Sequence, residues 1–304
     1  SPEVIGLMAP LSGPRASIGH SVFRGAQLAI SDYEKSGGTI PFRLIVKDTE
    51  SRDETLEAQF VSLVETDRVL AVIGPIRSGN TESLVPLCSR HTIPLITPGC
   101  PNNNIVSQSE WAFRLFPDPE KEVDCLISFC SRDLGITRYG CLYPEINYGQ
   151  QAIVGLNNAV WEEMGDLVYT RSYPVNLNTL RSILHDVSGK SVEVIIIPDN
   201  AERASVVAGQ IRYSELLTPT ITGIGAWDDP KLLEVAGNNL EGSFFITGYP
   251  MAHGPRAEII QRYIARFGET PDLFSLRTYE ATKLLLTAVE SGVSYRSQLL
   301  HYLS

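Results

Sequence analysis

The fold class predicted from sequence is α/β, built as two lobes with parallel sheets, and two observations carry that reading. Short apolar runs alternate with amphipathic helical segments along nearly the whole chain, the pattern of parallel strands joined by crossover helices. The alternation breaks once, in an Asn-, Ser- and Pro-rich stretch after Pro98, and then restarts. Two such sets leave a cleft between lobes, walled by the turns at the carboxyl ends of the strands, where open α/β sheets take ligands.

In the first set, Val4 to Leu7 reads as a strand and APLSGPRASIGHSVFRG as a loop passing into a helix that Gly37-Gly38 ends. Phe42 to Lys47 is the next strand, followed by a helix from about Glu54 to Glu65. Val69 to Ile73 and Ile93 to Ile96 are short apolar runs closed by Gly/Pro/Ser/Thr turns, the mark of strands buried on both faces. A Ser-Gly-Asn-Thr helix start lies between them. CPNNNIVSQSEWAFRLFPDP is then a crossover into a second domain at about Pro117.

In the second set, helices are predicted at Glu120 to Leu134, Gly149 to Met164, Thr179 to Val187, up to Tyr213, and Lys231 to Ala236. Strands are predicted at Tyr139 to Tyr143, Leu167 to Tyr173, Val192 to Ile197, Thr220 to Ile224 and Ser243 to Thr247. The helices Arg256 to Phe267 and Leu276 to Ser291 have no strand between them, so they read as packing back onto the first domain. That makes the first lobe discontinuous, 1–117 plus 249–304, with 118–248 as the second.

The bulk numbers agree with a two-domain globular chain. At 304 residues it exceeds one ordinary core. A formal charge of -10 speaks against nucleic acid, because phosphate neutralisation needs a basic face. No apolar run approaches the roughly 18 residues of a membrane span. The opening SPEVIGLMAP has neither initiator Met nor signal peptide and reads as a trimmed or mature form. The five cysteines have no C-x-x-C spacing; buried free thiols are the plain reading, with one disulfide open in an oxidising compartment.

Catalytic signatures are missing from the text: there is no phosphate loop, nucleophile elbow, H-E-x-x-H or dinucleotide fingerprint, and the five histidines are scattered. No catalytic residue, metal or cofactor is expected. Asp48 with Glu50, and Asp228 with Asp229, could serve as metal or acid/base pairs, but each stands where a carboxylate caps a helix. Binding fits better. Arg77, Ser78, Gly79, Asn80 and Thr81 form a strand-to-helix turn whose N–H groups suit a carboxylate, with Arg77 able to add a charge-assisted bond. An ordinary cap by Ser78 or Asn80 is the competing reading. Tyr148 and Trp227 are strand-end aromatics able to cover an apolar or planar ligand, although packing is the plainer role for either alone.

VIGLMAPLSGPRASIGHSVFRGAQLAI, AVIGPIRSGNTESLVPLCSRHTIPLITPG, YPEINYGQ and AWDDPKLLEVAGNNLEGSFFITGY together resemble the type I periplasmic binding proteins. The likeness is nearest the branched-chain amino-acid (Leu/Ile/Val) receptors of ABC transporters and the related penicillin-binding protein activators. It spans nearly the whole chain. It implies two Rossmann-like lobes, three hinge crossovers and a ligand closed between them in a periplasmic or extracellular space, with a lipid anchor before trimming as one form. Ser78 and Gly79 in the first turn, and Gly99, Cys100 and Pro101 in the second, would fix a ligand carboxylate and amino group, with Ser78, Gly79 and Cys100 on the anion. Tyr148, Asp199 and the Gly225 to Asp228 region, with Trp227 and Asp228, would complete the site. Pro101 replaces a hydroxyl residue usual in amino-acid receptors, Ile18 an aromatic, and Gly225 an acid that meets the ligand ammonium, leaving Asp199 for that task.

The expected function is thus a non-enzymatic solute-binding protein for ABC-type uptake or sensing, taking an amino acid or related carboxylate and working with an ABC permease. The alternative is an interaction module regulating a peptidoglycan synthase.

Overall fold

The structure, a computed structural model, describes residues 3–100, 102–176, 179–186, 190–214, 220–229, 231–247 and 255–304. The chain divides into two compact units, Ser1–Phe116 with Ala257–Ser304, and Pro117–Arg256. The return to the first unit, expected at 249, comes at 257; residues 248–254 lie outside those described.

In the first unit the chain runs β1 (Glu3–Ala9), α1 (Ala16–Lys35), β2 (Phe42–Asp48), α2 (Leu56–Val61), β3 (Ala71–Ile73), α3 (Ser78–Arg90), β4 (Leu95–Thr97), α4 (Asn103–Val106) and β5 (Ala112–Arg114). The second unit follows with α5 (Pro119–Arg132), β6 (Arg138–Pro144), α6 (Asn147–Glu162), β7 (Asp166–Tyr173), α7 (Arg181–His185), β8 (Val194–Ile196), α8 (Ala201–Tyr213), β9 (Thr220–Gly223), α9 (Lys231–Ala236) and β10 (Phe244–Phe245). Three helices close the chain: α10 (Pro255–Phe267), α11 (Leu273–Glu290) and α12 (Arg296–Leu303).

Each unit holds one five-stranded sheet whose neighbouring strands are all parallel, in the orders β2-β1-β3-β4-β5 and β10-β9-β8-β6-β7. Read from the second strand of each set, both have the order 2-1-3-4-5. In each the connection reverses direction beside the first strand, between β1 and β3 and between β6 and β8. That reversal opens a crevice at the carboxyl ends of the two strands.

The central strands explain the short apolar runs. All three residues of β3, Ala71, Val72 and Ile73, are fully buried because helices cover both sheet faces. On one side of the first sheet Val22 and Ala26 of α1 meet Ala281, Leu285 and Val289 of α11. On the other, Leu56, Phe60, Leu84 and Cys88 pack with Val72 and Leu95. The late helix α11 therefore supplies part of the first core, and Asp272 caps it by accepting from the Ser275 N–H at 2.8 Å.

Three elements differ from the sequence reading, the first being the short helix α4, which falls in the stretch read as a crossover. β5 lies inside the stretch read as a crossover; it is the edge strand of the first sheet, pairing with β4. α12 was not expected at all: its sequence lacks a strong apolar stripe, and among its residues only Leu299 is buried. All five cysteines are free, with Cys125 exposed and the others buried.

Candidate ligand site

The first unit's crevice is formed where the chain leaves β1 and β3. After β3 the backbone passes through Pro75 and Ile76 into α3, with Arg77 at the N-cap position in extended geometry, φ -88° and ψ 140°. No side chain caps this helix, which removes the ordinary-cap reading for Ser78 and Asn80. The first intrahelical bond runs from the Thr81 N–H to the Arg77 carbonyl at 2.9 Å. The N–H groups of Ser78, Gly79 and Asn80 therefore have no acceptor among the described residues. They lie at the positive end of a 13-residue helix with no acidic residue in its first turn, which favours an anion. Nothing lies within 4 Å of a Cβ built at Gly79, so this backbone is open to approach.

The turn after β4 is joined to it. The Thr97 hydroxyl donates to the Pro75 carbonyl at 2.7 Å, and the buried Cys100 thiol lies 3.6 Å from Ser78 Oγ. A Cβ at Gly99 would stand 2.4 Å from the Ile76 carbonyl oxygen, so only glycine allows the two turns to touch. Ser78, Gly79, Gly99 and Cys100 are thus gathered into one corner. Arg77 is there too, but its guanidinium pairs with Asp53 at 3.2 Å, an exposed pair of small energetic weight. Pro101 lies outside the described residues.

The loop after β1 is held by Asp48, whose Oδ1 accepts from the N–H groups of Leu11 (2.8 Å), Ser12 (3.2 Å) and Glu50 (2.8 Å). Burial alone would raise its pKa, but the bonds from Ser12, Glu50 and Leu11 outweigh that and hold the carboxyl below its usual range. Glu50 pairs instead with Arg52 at 3.2 Å. Asp48 and Glu50 therefore act in loop structure, and among the described residues no group of three metal-ligating side chains occurs.

Between these loops is a cavity of about 40 Å³, lined among others by Met8, Ile18, Thr49 and Ile76 with Arg15 and Arg77. Arg15 and Thr49 carried no sequence signal, since nothing in the text says that three separate loops meet. A wider groove of about 890 Å³ lies at the opposite, amino ends of the strands, against Glu3, Arg43, Trp111 and Arg296. Its Arg296 spends its donors on the carbonyls of Val64, Val69 and His91 (3.1, 2.9 and 3.3 Å), which anchors the start of α12.

In the second unit the structure revises several assignments. Asp199, in the turn after β8, is fully buried, accepting from the Tyr173 hydroxyl (2.8 Å), Arg203 Nε (2.8 Å) and the Asn200 N–H (2.6 Å). Burial lowers the Arg203 pKa, yet the Asp199 pair carries it above the ordinary value; burial and then Asp199 push Tyr173 well up. With its oxygens filled, Asp199 is a structural anion rather than a receptor for a ligand ammonium. Trp227 is also internal, 1 % exposed, with its indole N–H donating to the Ile197 carbonyl at 3.0 Å. Its ring fills the space beside Gly223, where a Cβ would meet Trp227 Cε2 at 2.1 Å. It packs the second core and does not cover a ligand.

Tyr148 is buried in the first turn of α6, beside the β6 exit. Asp228 is buried and accepts from the Thr247 hydroxyl at 2.9 Å. Glu122 of α5 fills the space beside Gly225, its Oε1 standing 2.1 Å from where a Gly225 Cβ would be. Sequence reading missed it because α5 and β9 are about a hundred residues apart.

Two parallel-sheet units of one topology, with an uncapped helix start at a strand-order reversal, define the class of two-unit α/β ligand-binding proteins. The chain belongs to the periplasmic binding protein family, whose model it matches over residues 3–298. It is similar to Leu/Ile/Val-binding protein homolog 3 of Brucella melitensis, 17 % identical over 292 residues that cover 95 % of this chain and 79 % of that one. BraC3 of Rhizobium johnstonii, a Leu/Ile/Val-binding protein, is 19 % identical with coverage of 95 % and 79 %. Among solved structures, the Streptococcus pneumoniae substrate-binding protein LivJ in complex with isoleucine superposes with a TM-score of 0.80 at 20 % identity, covering 100 % of this chain and 88 % of that one. A solute-binding protein from R. palustris in complex with benzoate gives 0.78 at 18 %, covering 100 % and 85 %. These likenesses establish the fold.

Proposed function

We propose that this protein binds a small carboxylate solute at the first-unit corner, outside the cytoplasm, and presents it to an ABC permease without transforming it. The observation that carries this reading is the uncapped start of α3, where the N–H groups of Ser78, Gly79 and Asn80 converge without an acceptor among the described residues. A carboxylate meets that need, since it accepts several N–H bonds at the positive end of a helix dipole. Isoleucine and benzoate, the ligands in the two similar structures, share a carboxylate and little else. The relatives' names favour solute binding over regulation of a cell-wall synthase. Because Asp199 is committed to Arg203, the carboxylate rather than an ammonium is the group recognised first.

Titration calorimetry with branched-chain amino acids, benzoate and short alkanoates, each beside its amide, tests the reading. Saturable heat with the acids and at least a tenfold loss with the amides is expected. Equal binding of acids and amides, or no binding by any compound, would count against it.

A further inference from the structure

The 40 Å³ cavity beside α3 is too small for a whole ligand and of a size for one end group. Among its lining residues, the side chains of Thr49, Arg15 and Asn80 make no hydrogen bond or ion pair with the described residues. Thr49 is 4 % exposed, and its hydroxyl has no hydrogen-bond partner; the residue's bonds are made by its backbone, N–H to Ala9 and carbonyl to Arg52. Arg15 is half-buried, and its guanidinium has no ion pair or hydrogen bond among the described residues. The acids around it are engaged elsewhere: Asp48 with three backbone N–H groups, Glu50 with Arg52, and Asp53 with Arg77. A hydroxyl without a partner offers a ligand both a donor and an acceptor, and an unpaired guanidinium supplies forked donors matched to a carboxylate. Met8, Ile18 and Ile76 form an apolar part of the wall, which would strengthen such a bond by excluding water.

We infer that this cavity is a subsite for a second acidic group, so that the protein selects dicarboxylates, one carboxylate on the α3 start and the other held by Arg15 and the Thr49 hydroxyl. The inference rests on the function proposed above and narrows its substrate class. It also gives Ile18 a role: where an aromatic would fill the loop, the smaller side chain leaves room for the end group.

The test compares compounds that differ only in the second acid: glutarate against valerate, and glutamate against norvaline, by titration calorimetry on the full chain. Wild type is expected to prefer the diacid of at least one pair by about tenfold or more, the order of one charge-assisted contact. Arg15→Ala and Thr49→Val should each shrink that preference, about tenfold and about threefold respectively, and Arg15→Lys should retain an intermediate value. Thermal melts show whether each variant folds; the isosteric Thr49→Val carries the test if Arg15→Ala does not. Binding of valerate, norvaline or benzoate with no diacid preference, or a preference untouched in folded variants, overturns the inference and leaves the carboxylate reading standing. Silence from every acid overturns both.

Discussion

The Thr97 hydroxyl reaches across from the end of β4 to the Pro75 carbonyl at the end of β3, at 2.7 Å, and both residues are buried. This bond sets the spacing between the two turns that hold Ser78, Gly79, Gly99 and Cys100. Thr97→Val keeps the shape but leaves the carbonyl unpaired, so a loss of about 1–3 kcal/mol in stability is expected by denaturant titration. Weakened carboxylate binding should accompany it.

Ser78→Pro isolates the contribution of the helix start. Proline is favoured at the first helical position, and Arg77 before it is already extended, as a residue preceding proline must be. The helix should survive while one N–H donor and one hydroxyl disappear. The melting temperature should move little, and carboxylate affinity should fall by about tenfold, the value of one hydrogen bond to a charged group.

Arg203→Ala would strand the Asp199 carboxylate, which is 0 % exposed, with only Tyr173 and the Asn200 N–H as partners. A cost of about 3–5 kcal/mol is expected, read from denaturant midpoints. Asp199→Asn should cost less, because the Arg203 side chain is 32 % exposed and reaches water. Equal losses in the two variants would mean that the pair matters by packing rather than by charge.

Asp48 gives a pH signature. Its folded-state pKa lies below the unfolded value near 3.8, so its stabilisation is complete above about pH 4 and is lost as pH falls through the folded value. Asp48→Asn should melt lower than wild type by a constant amount between about pH 5 and 8, of order 1 kcal/mol. The gap should close below about pH 4, where the wild-type carboxyl takes up its proton. A gap independent of pH would show that the charge is not what holds the Leu11–Ser12 loop.

Alternation of strands and helices was legible because parallel strands buried on both faces leave near-continuous apolar runs such as Ala71–Ile73. Ser78 and Gly79 were legible because small residues after such a run mark a helix start with free N–H groups. Arg15, Thr49 and Glu122 were not, since their meaning depends on which distant loops arrive beside them. Asp199 and Trp227 misled for the same reason: a strand-end position names a place in the fold but not the direction of a side chain.

By itself, the sequence determined the α/β class, the interruption after the first set of strands and the helix start at Arg77–Thr81, all of which follow from local periodicity and backbone chemistry. Only the tertiary structure decided the strand order 2-1-3-4-5 in each unit, the absence of a side-chain cap on α3, and the burial of Asp199 against Arg203. Those outcomes turn on which groups find partners across long sequence separations. Burial and hydrogen-bond satisfaction are settled there, and residue spacing carries no record of them.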